Sequence, residues 1–206
     1  MGRWARSWLA DDPRGAGPGL GVPGFAPQLP GHLGGPGGAH RHDRWKTYFF
    51  LAYGYRSEDN RARCPATAGM LDTIPGLTTA FFSILGPGKH LPSHRGPYKG
   101  VLRYHLALLV PGPPGACRIT VGGQTAEWKE GASLLFDDTY PHEAWNDTAS
   151  DRVVLFADVL RPLPVPVSSL NRAVVRAIAA SPFVKGGISR HEAWEQRFEE
   201  LWGAQS

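Results

Sequence analysis

Cysteine is scarce in this chain of 206 residues, which contains only Cys64 and Cys117. The two residues form no CxxC motif and no spacing typical of a metal site, and two thiols are too few for a disulfide framework. We therefore interpret both as reduced, partly buried side chains. A disulfide-rich fold is excluded.

Long apolar runs and clusters of one charge are also missing. No stretch approaches the roughly 18 consecutive apolar residues of a membrane span, and no apolar segment follows the basic start as a signal peptide requires. The net charge is only +4 and the basic residues are dispersed, which argues against nucleic-acid binding. We expect a cytoplasmic protein that binds a small molecule or peptide, with peripheral membrane contact left open and no oligomeric state indicated.

Glycine and proline, in contrast, are abundant, with 26 and 19 residues, and they concentrate in residues 1–42. Such a composition buries little surface and disfavours regular structure, so we expect a flexible arm there. The folded domain is predicted over residues 43–165. Helices over residues 166–206 are predicted to pack on that domain.

Short strand-like segments separated by Gly/Pro turns fill the predicted domain. An aromatic run at 48–53 ends at Gly54, and residues 65–71 are typical of a short helix that begins with proline. Regular short strands with such turns predict a mainly β fold, a sandwich or barrel. Helical periodicity returns only around 170–178 and 191–202. The other predicted strands are 78–85, 101–110, 117–121, 124–128, 133–136 and 152–159.

Two histidines stand out by their setting, each at the end of a strand-like run. His94 lies in Ser-His-Arg-Gly-Pro, and His142 closes Phe-Asp-Asp-Thr-Tyr-Pro-His. Two imidazoles far apart in sequence can converge on one metal in a β-barrel, and iron(II) suits imidazole and oxygen ligands with open positions. A His-x-Asp pattern would place a carboxylate at position 96, which is Gly96. Either water fills that position, or an acid such as Asp137 or Asp138 reaches it.

Basic residues near these histidines suggest an acidic cosubstrate. Arg152 lies ten residues after His142 and precedes an apolar run. Arg103 and His105 share one face of a strand, and if that face is interior they need an anion. On an exposed face, Arg103 would be a surface charge. Together these features suggest a non-haem iron oxygenase that uses 2-oxoglutarate.

Several motifs, in order and with fitting gaps over residues 45–162, resemble the aspartyl/asparaginyl β-hydroxylase family of 2-oxoglutarate dioxygenases, including its bacterial, lipid A hydroxylase-like members. That family has two histidine ligands and no metal carboxylate, so Gly96 agrees with it. The matching segments are Phe-Ser-Ile-Leu at 82–85, His-x-Gly-Pro at 94–97, Leu-Arg-Tyr-His-Leu at 102–106, Trp-x-x-Gly at 128–131, Phe-Asp-Asp-x-x-x-His-Glu-x-Trp-Asn at 136–146, and Arg152.

The resemblance implies a double-stranded β-helix (jelly roll), cupin-like, with flanking helices, and it implies iron(II) and 2-oxoglutarate. His94 and His142 would be the metal ligands, with Asp138 orienting His142 or a bound water. Arg152 would take the distal carboxylate of 2-oxoglutarate. The alternative for Ser83 is a hydrogen bond to the backbone, and the alternative for Asp138 is a cap of its turn. The positions that match 2-oxoglutarate contacts are Ser83, Arg103, His105 and Arg152.

The substrate is less constrained by the sequence. We expect hydroxylation of an aliphatic C–H in an aspartyl/asparaginyl-type amino acid, peptide or protein. The acyl chain of a lipid is the alternative, because the stretch from 170 to 198 looks more like the bacterial lipid-type members. A non-enzymatic cupin-like domain would keep the barrel, but the joint presence of both histidines with Arg103, His105 and Arg152 argues against it. A zinc hydrolase needs a third protein ligand, and no HExxH-like motif supplies one.

Overall fold

The computed structural model describes residues 45–182. The predicted arm at 1–42 and the predicted helix at 191–202 lie outside the described residues. Within the described range, the elements in chain order are β1 (Trp45–Ala52), β2 (Tyr55–Arg56), α1 (Glu58–Arg63), α2 (Pro65–Asp72), β3 (Leu77–Leu85), β4 (Lys89–His94), β5 (Val101–Leu109), β6 (Cys117–Val121), β7 (Gln124–Glu127), β8 (Ser133–Phe136), β9 (His142–Asn146), β10 (Arg152–Leu160) and α3 (Val167–Ala179).

The strands form two antiparallel sheets. The larger sheet has six strands in the order β2-β1-β3-β10-β5-β8, and the smaller has four in the order β4-β9-β6-β7. Consecutive strands pair only in the hairpins β1–β2 and β6–β7 of the described sheets, and the other neighbours are distant in sequence, as when β10 pairs with both β3 and β5. The predicted mainly β jelly roll with flanking helices is confirmed.

An inner core fills the space between the sheets. Along β5, Arg103, His105 and Ala107 alternate with residues of the opposite face, so these three side chains point toward the smaller sheet. Both sheets contribute to the inner core, whose buried members are Ala107, Cys117, Ile119, Trp128, Phe136, Ala144 and Val154. The polar residues of β5 therefore face a packed interior.

A second core covers the outer face of the larger sheet. Leu71 of α2 and Cys64 pack there on Phe50 and Phe82, whose rings meet edge to face at 4.9 Å between centroids. Every residue of β3 after Leu77 is buried. Because β3 is covered on both faces, apolar residues stand on both of them, in the runs 80–82 and 84–85.

Four elements were not predicted: β2, α1, β4 and β9. The sequence of β4, KHLPSH, is mostly polar and contains Pro92, which is tolerated because β4 lies at the edge of the smaller sheet. In β9 the inward residues are His142, Ala144 and Asn146, so its alternation is regular but not apolar. The polar helix α1 is six residues long and begins at the N-cap Ser57.

The helix α3 packs beside the loop that joins β4 to β5. Asn171 is buried in this contact: its amide donates to the Gly100 carbonyl at 2.8 Å and its oxygen accepts from the Tyr98 hydroxyl at 2.6 Å. A Cβ at Gly100 would lie 2.0 Å from that oxygen, so this close approach requires glycine. Within residues 45–182, no helix combines the length and the apolar character needed to cross a bilayer.

Candidate active site

A cavity of about 170 Å³ lies between the two sheets. Six of the seven predicted site residues line it, and the seventh, Asp138, contacts one of them, Arg103. The polar lining consists of Ser83, His94, Arg103, His105, His142 and Arg152. The apolar lining consists of Trp45, Phe81, Leu91, Ile119, Trp128, Ala144 and Phe156.

His94 and His142 are direct partners in the pairing of β4 with β9, and their ring centroids lie 4.1 Å apart. Each ring places Nδ1 near the carbonyl two residues earlier, at 2.8 Å from Pro92 and 3.0 Å from Tyr140. Because a carbonyl only accepts, we assign the proton to Nδ1 in both rings, which leaves both Nε2 lone pairs available. Burial lowers the pKa of His142 and so favours its neutral form.

Asp138 occupies the space that a side chain at position 96 would need. A Cβ at Gly96 would lie 1.8 Å from Oδ2 of Asp138, and the Gly96 amide donates to the Asp138 carbonyl at 2.8 Å. Of the two aspartates considered from the sequence, Asp137 instead pairs with Arg161 at 2.6 Å. In the described part of the chain, no group of three or more His, Cys, Asp or Glu side chains is arranged to hold a metal.

Arg103 is held by two internal carboxylates. Its guanidinium donates to both oxygens of Asp158 at 3.0 and 3.1 Å, and Nη2 lies 2.9 Å from Oδ2 of Asp138. It also lies over the Phe156 ring, 4.3 Å from the centroid. Burial raises the pKa of both aspartates, and Arg103 opposes that shift. The anion that the sequence led us to expect for Arg103 is therefore supplied in part by the protein itself.

Arg152 is the buried cation that lacks such a partner. It is 1% exposed, its Nε has no hydrogen-bond partner, and no ion pair among residues 45–182 includes it. Its guanidinium lies over the Trp128 ring, 4.3 Å from the centroid. Burial lowers the pKa of Arg152 to about 10, so the group remains charged at neutral pH. An unpaired buried charge is costly, so an anion in the cavity would stabilise it.

His105 and Ser83 add polar groups to the same cavity. Neither ring nitrogen of His105 has a hydrogen-bond partner among the described residues. Burial, followed by the charges of Arg103 and Arg152, lowers the pKa of His105 well below its ordinary value, so the ring is neutral. The Ser83 hydroxyl accepts a hydrogen bond from the Trp45 indole at 3.0 Å, and its own hydrogen is left to donate.

Sequence reasoning missed the apolar lining of the cavity and two residues that hydrogen-bond to predicted site residues, Asp158 and Trp45. Asp158 is the direct partner of Arg103 in the pairing of β10 with β5. Trp45 lies on β1, two positions along from Thr47, the residue that pairs with Ser83. Both relations depend on strand register, which becomes visible only when the strands are paired.

The fold and this cavity define a jelly-roll protein with a histidine pair and a buried cation between its sheets. The chain belongs to the aspartyl/asparaginyl β-hydroxylase family, since the family model with that description matches residues 32–162, more than half of the chain. This confirms the resemblance found in the sequence.

Two named relatives differ in what their names say they act on. An ornithine lipid ester-linked acyl 2-hydroxylase of Rhizobium tropici is 52% identical over 155 residues, which cover 75% of this chain and 55% of that protein. The human aspartyl/asparaginyl beta-hydroxylase is 34% identical over 127 residues, which cover 59% of this chain and 16% of that protein. The chain thus spans about half the length of the first relative and a smaller part of the second.

Solved structures match less closely. The cupin domain of Schizosaccharomyces pombe Cnp3 is 12% identical with a TM-score of 0.38, over 58% of this chain and 66% of that one. The DMSP lyase DddQ of Ruegeria pomeroyi is 16% identical with a TM-score of 0.39, over 65% of this chain and 57% of that one. At these scores, no inference about function follows from either match.

Proposed function

We propose that this chain is an iron(II)- and 2-oxoglutarate-dependent dioxygenase that hydroxylates an aliphatic C–H bond. One observation supports this most strongly. Two imidazoles with available Nε2 lone pairs, at His94 and His142, line the same cavity as the unpaired guanidinium of Arg152. A metal site and an anion site beside each other are what an iron centre with a chelating dicarboxylate requires.

The donor set fits a metal with open positions. His94 and His142 would hold it, and the carbonyls of Pro92 and Tyr140 fix the two rings through Nδ1. With only two protein ligands, the metal retains room for the cosubstrate and oxygen, as non-haem iron(II) sites do. Asp138, whose carboxylate fills the space beside Gly96, would orient a water bound at an open position of the metal.

Side chains of the larger sheet are suited to bind the cosubstrate. Arg152 would bind the distal carboxylate of 2-oxoglutarate, and the Ser83 hydroxyl would donate a hydrogen bond beside it. His105 is a neutral ring with an N–H that can donate to the same anion. Arg103 would contribute positive charge while Asp158 and Asp138 fix its position.

Iron(II) with 2-oxoglutarate and oxygen supplies the oxidising power to insert one oxygen atom into a C–H bond, with succinate and carbon dioxide as co-products. The chain's own part is to bind, orient and exclude water. Phe81, Phe156, Leu91 and Ile119 give the cavity an apolar lining that keeps water from the reacting groups.

For the substrate we propose an acyl chain of a lipid with an amino-acid headgroup. The apolar lining of the cavity suits an alkyl chain. The relative with 52% identity is named for such a lipid, whereas the relative named for aspartyl and asparaginyl residues is 34% identical. The aspartyl/asparaginyl-type substrate that we first expected from the sequence stays a prediction, and it becomes the second candidate.

The test is succinate release from 2-oxoglutarate by the iron-loaded chain, with candidate substrates added in turn. We expect stimulation by ornithine lipid and a mass gain of one oxygen atom on its ester-linked acyl chain. Stimulation by aspartyl or asparaginyl peptides alone would replace the lipid as substrate and leave the iron chemistry in place. Failure of every substrate, together with no basal succinate, would contradict the proposed activity itself.

A further inference from the structure

Apolar side chains are exposed together at the start of α3. Val165, Val167 and Leu170 are 81, 48 and 65% exposed, and they are three of the six large apolar side chains exposed within residues 45–182. Arg172 and Arg176 are exposed on the same helix. We call these five residues the α3 surface. Apolar residues clustered in this way, unlike scattered ones, are typical of an interaction site.

The charge around this surface is mainly positive. The sequence contains no Asp or Glu between Asp158 and Glu192, while Arg172 and Arg176 fall in that stretch, together with Arg161, which is paired with Asp137. The loop that α3 contacts adds two exposed cations, Arg95 and Lys99. A helix with exposed apolar residues beside arginines is typical of one that lies in the interface of an anionic membrane.

The α3 surface is connected to the cavity through one loop. That loop leaves the cavity at His94 and ends at Gly100, where Asn171 of α3 holds it through the Tyr98 hydroxyl and the Gly100 carbonyl. Arg161 also donates to the Lys99 carbonyl at 2.7 Å. A partner bound at α3 would therefore lie close to the loop that carries His94.

We propose that the α3 surface docks on an anionic lipid bilayer, with Val165, Val167 and Leu170 entering the interface and Arg172 and Arg176 at the headgroups. The inference rests on the proposed lipid substrate, which such docking would bring to the cavity from the membrane. Apolar burial and headgroup attraction together give reversible binding that depends on anionic lipid and weakens with salt.

The experiment measures cosedimentation of the full chain with vesicles of phosphatidylcholine containing phosphatidylglycerol, and with vesicles of phosphatidylcholine alone. We expect binding to the first and much weaker binding to the second. Leu170→Asp should lower the partition coefficient roughly tenfold or more, because an apolar side chain leaves the interface. Arg172→Glu with Arg176→Glu should lower it about tenfold or more.

Matched controls lie at the other end of β5, about 27 Å along the strand from Val101. Leu109 is 40% exposed there, and Lys129 is exposed nearby. Leu109→Asp and Lys129→Glu change the same kinds of side chain and should leave vesicle binding within about twofold of the unchanged chain. Thermal unfolding of all the variants checks that each is folded.

Two results would overturn the docking proposal: no binding of the unchanged chain to anionic vesicles, or equal binding by Leu170→Asp and the controls. Self-association abolished by Leu170→Asp, without vesicle binding, would assign the surface to a second copy of the chain and also overturn it. Turnover of ornithine lipid dispersed in detergent tests the proposed function separately. Turnover there without vesicle binding contradicts docking alone, and vesicle binding without turnover contradicts the substrate alone.

Discussion

At the scale of single residues, the two histidines of the proposed metal site differ from the exposed His90 in the groups that hold their rings. His94 and His142 are fixed through Nδ1 by carbonyls, whereas His90 stacks on Trp145 at 4.7 Å and lies 3.1 Å from Glu143 on an exposed surface. We expect His94→Ala or His142→Ala to abolish stoichiometric iron binding, because only two protein ligands are present. His90→Ala should retain it. Metal analysis after equilibrium dialysis measures this, and full iron in either cavity variant would refute the ligand assignment.

The unpaired guanidinium of Arg152 predicts where the cosubstrate binds. Removing a buried charged partner costs about 2–5 kcal/mol, so Arg152→Ala should raise the KM for 2-oxoglutarate at least about thirtyfold while iron still binds. Arg152→Lys keeps the positive charge but loses the bidentate geometry of the guanidinium. Its KM for 2-oxoglutarate should lie between the values of the unchanged chain and of Arg152→Ala.

A matched control exists outside the barrel. Arg118 lies over the Trp145 ring at 4.7 Å, much as Arg152 lies over Trp128 at 4.3 Å. Arg118→Ala should leave the 2-oxoglutarate KM unchanged. An unchanged KM in Arg152→Ala would mean that the anion is held elsewhere.

The pair between Asp158 and Arg103 predicts a difference between two aspartates. Asp158→Asn weakens the buried bidentate contact with Arg103, so it should lower the free energy of unfolding by about 2 kcal/mol. The Arg103 side chain should also be held less firmly in the cavity. Asp147 makes the comparable but half-exposed pair with Arg118, and Asp147→Asn should cost well under about 1 kcal/mol. Urea unfolding measures the free energy of both variants. Equal losses would show that the buried Asp158 pair stabilises the fold no more than the half-exposed Asp147 pair does.

How much of the site the sequence could predict depends on strand register. His94, His142 and Arg152 stand in recognisable motifs, and the structure brings all three to one cavity. Asp158 and Trp45 were not found, because their contacts with Arg103 and Ser83 arise between strands far apart in sequence. A motif records neighbours along the chain, not neighbours across a sheet.

At the scale of elements, apolar strands were predictable and polar ones were not. Segments at 117–121 and 133–136 match β6 and β8 at both ends, because glycines stand close to three of these ends and an Asp-Asp-Thr turn follows β8. The strands β4 and β9 were absent from the predicted set, since they carry the histidines and other polar residues where an apolar alternation would normally reveal a strand. The elements that hold the proposed metal are thus the ones with the weakest strand signal.

The loop after β4 gives an element-scale prediction. Gly96→Ala forces the Asp138 carboxylate from its place against the loop, because the new Cβ would lie 1.8 Å from Oδ2. We expect a loss of about 1–3 kcal/mol in unfolding free energy, as for an overpacked site, together with reduced iron-dependent turnover. Gly69→Ala in α2 has nothing within 4 Å of its Cβ and should be neutral or slightly stabilising. Similar thermal shifts for the two variants would contradict the close contact at Gly96.

At the scale of the whole molecule, the two sheets divide the proposed chemistry. The smaller sheet supplies His94 and His142, and the larger sheet supplies Ser83, Arg103 and Arg152. The proposed metal and dicarboxylate would meet only because the sheets pack face to face over the inner core. The jelly roll therefore positions the two halves of the site relative to each other, while the strands orient each side chain.

The most direct test of iron- and 2-oxoglutarate-dependent oxygenation is the fate of isotopically labelled oxygen gas. The iron-loaded chain is supplied with 2-oxoglutarate under labelled O₂ in ordinary water, and succinate is analysed by mass spectrometry. The account predicts one labelled oxygen atom in each succinate formed, with or without a bound substrate, and no succinate from His94→Ala. Absence of succinate, or succinate without label together with full activity in His94→Ala, would contradict it.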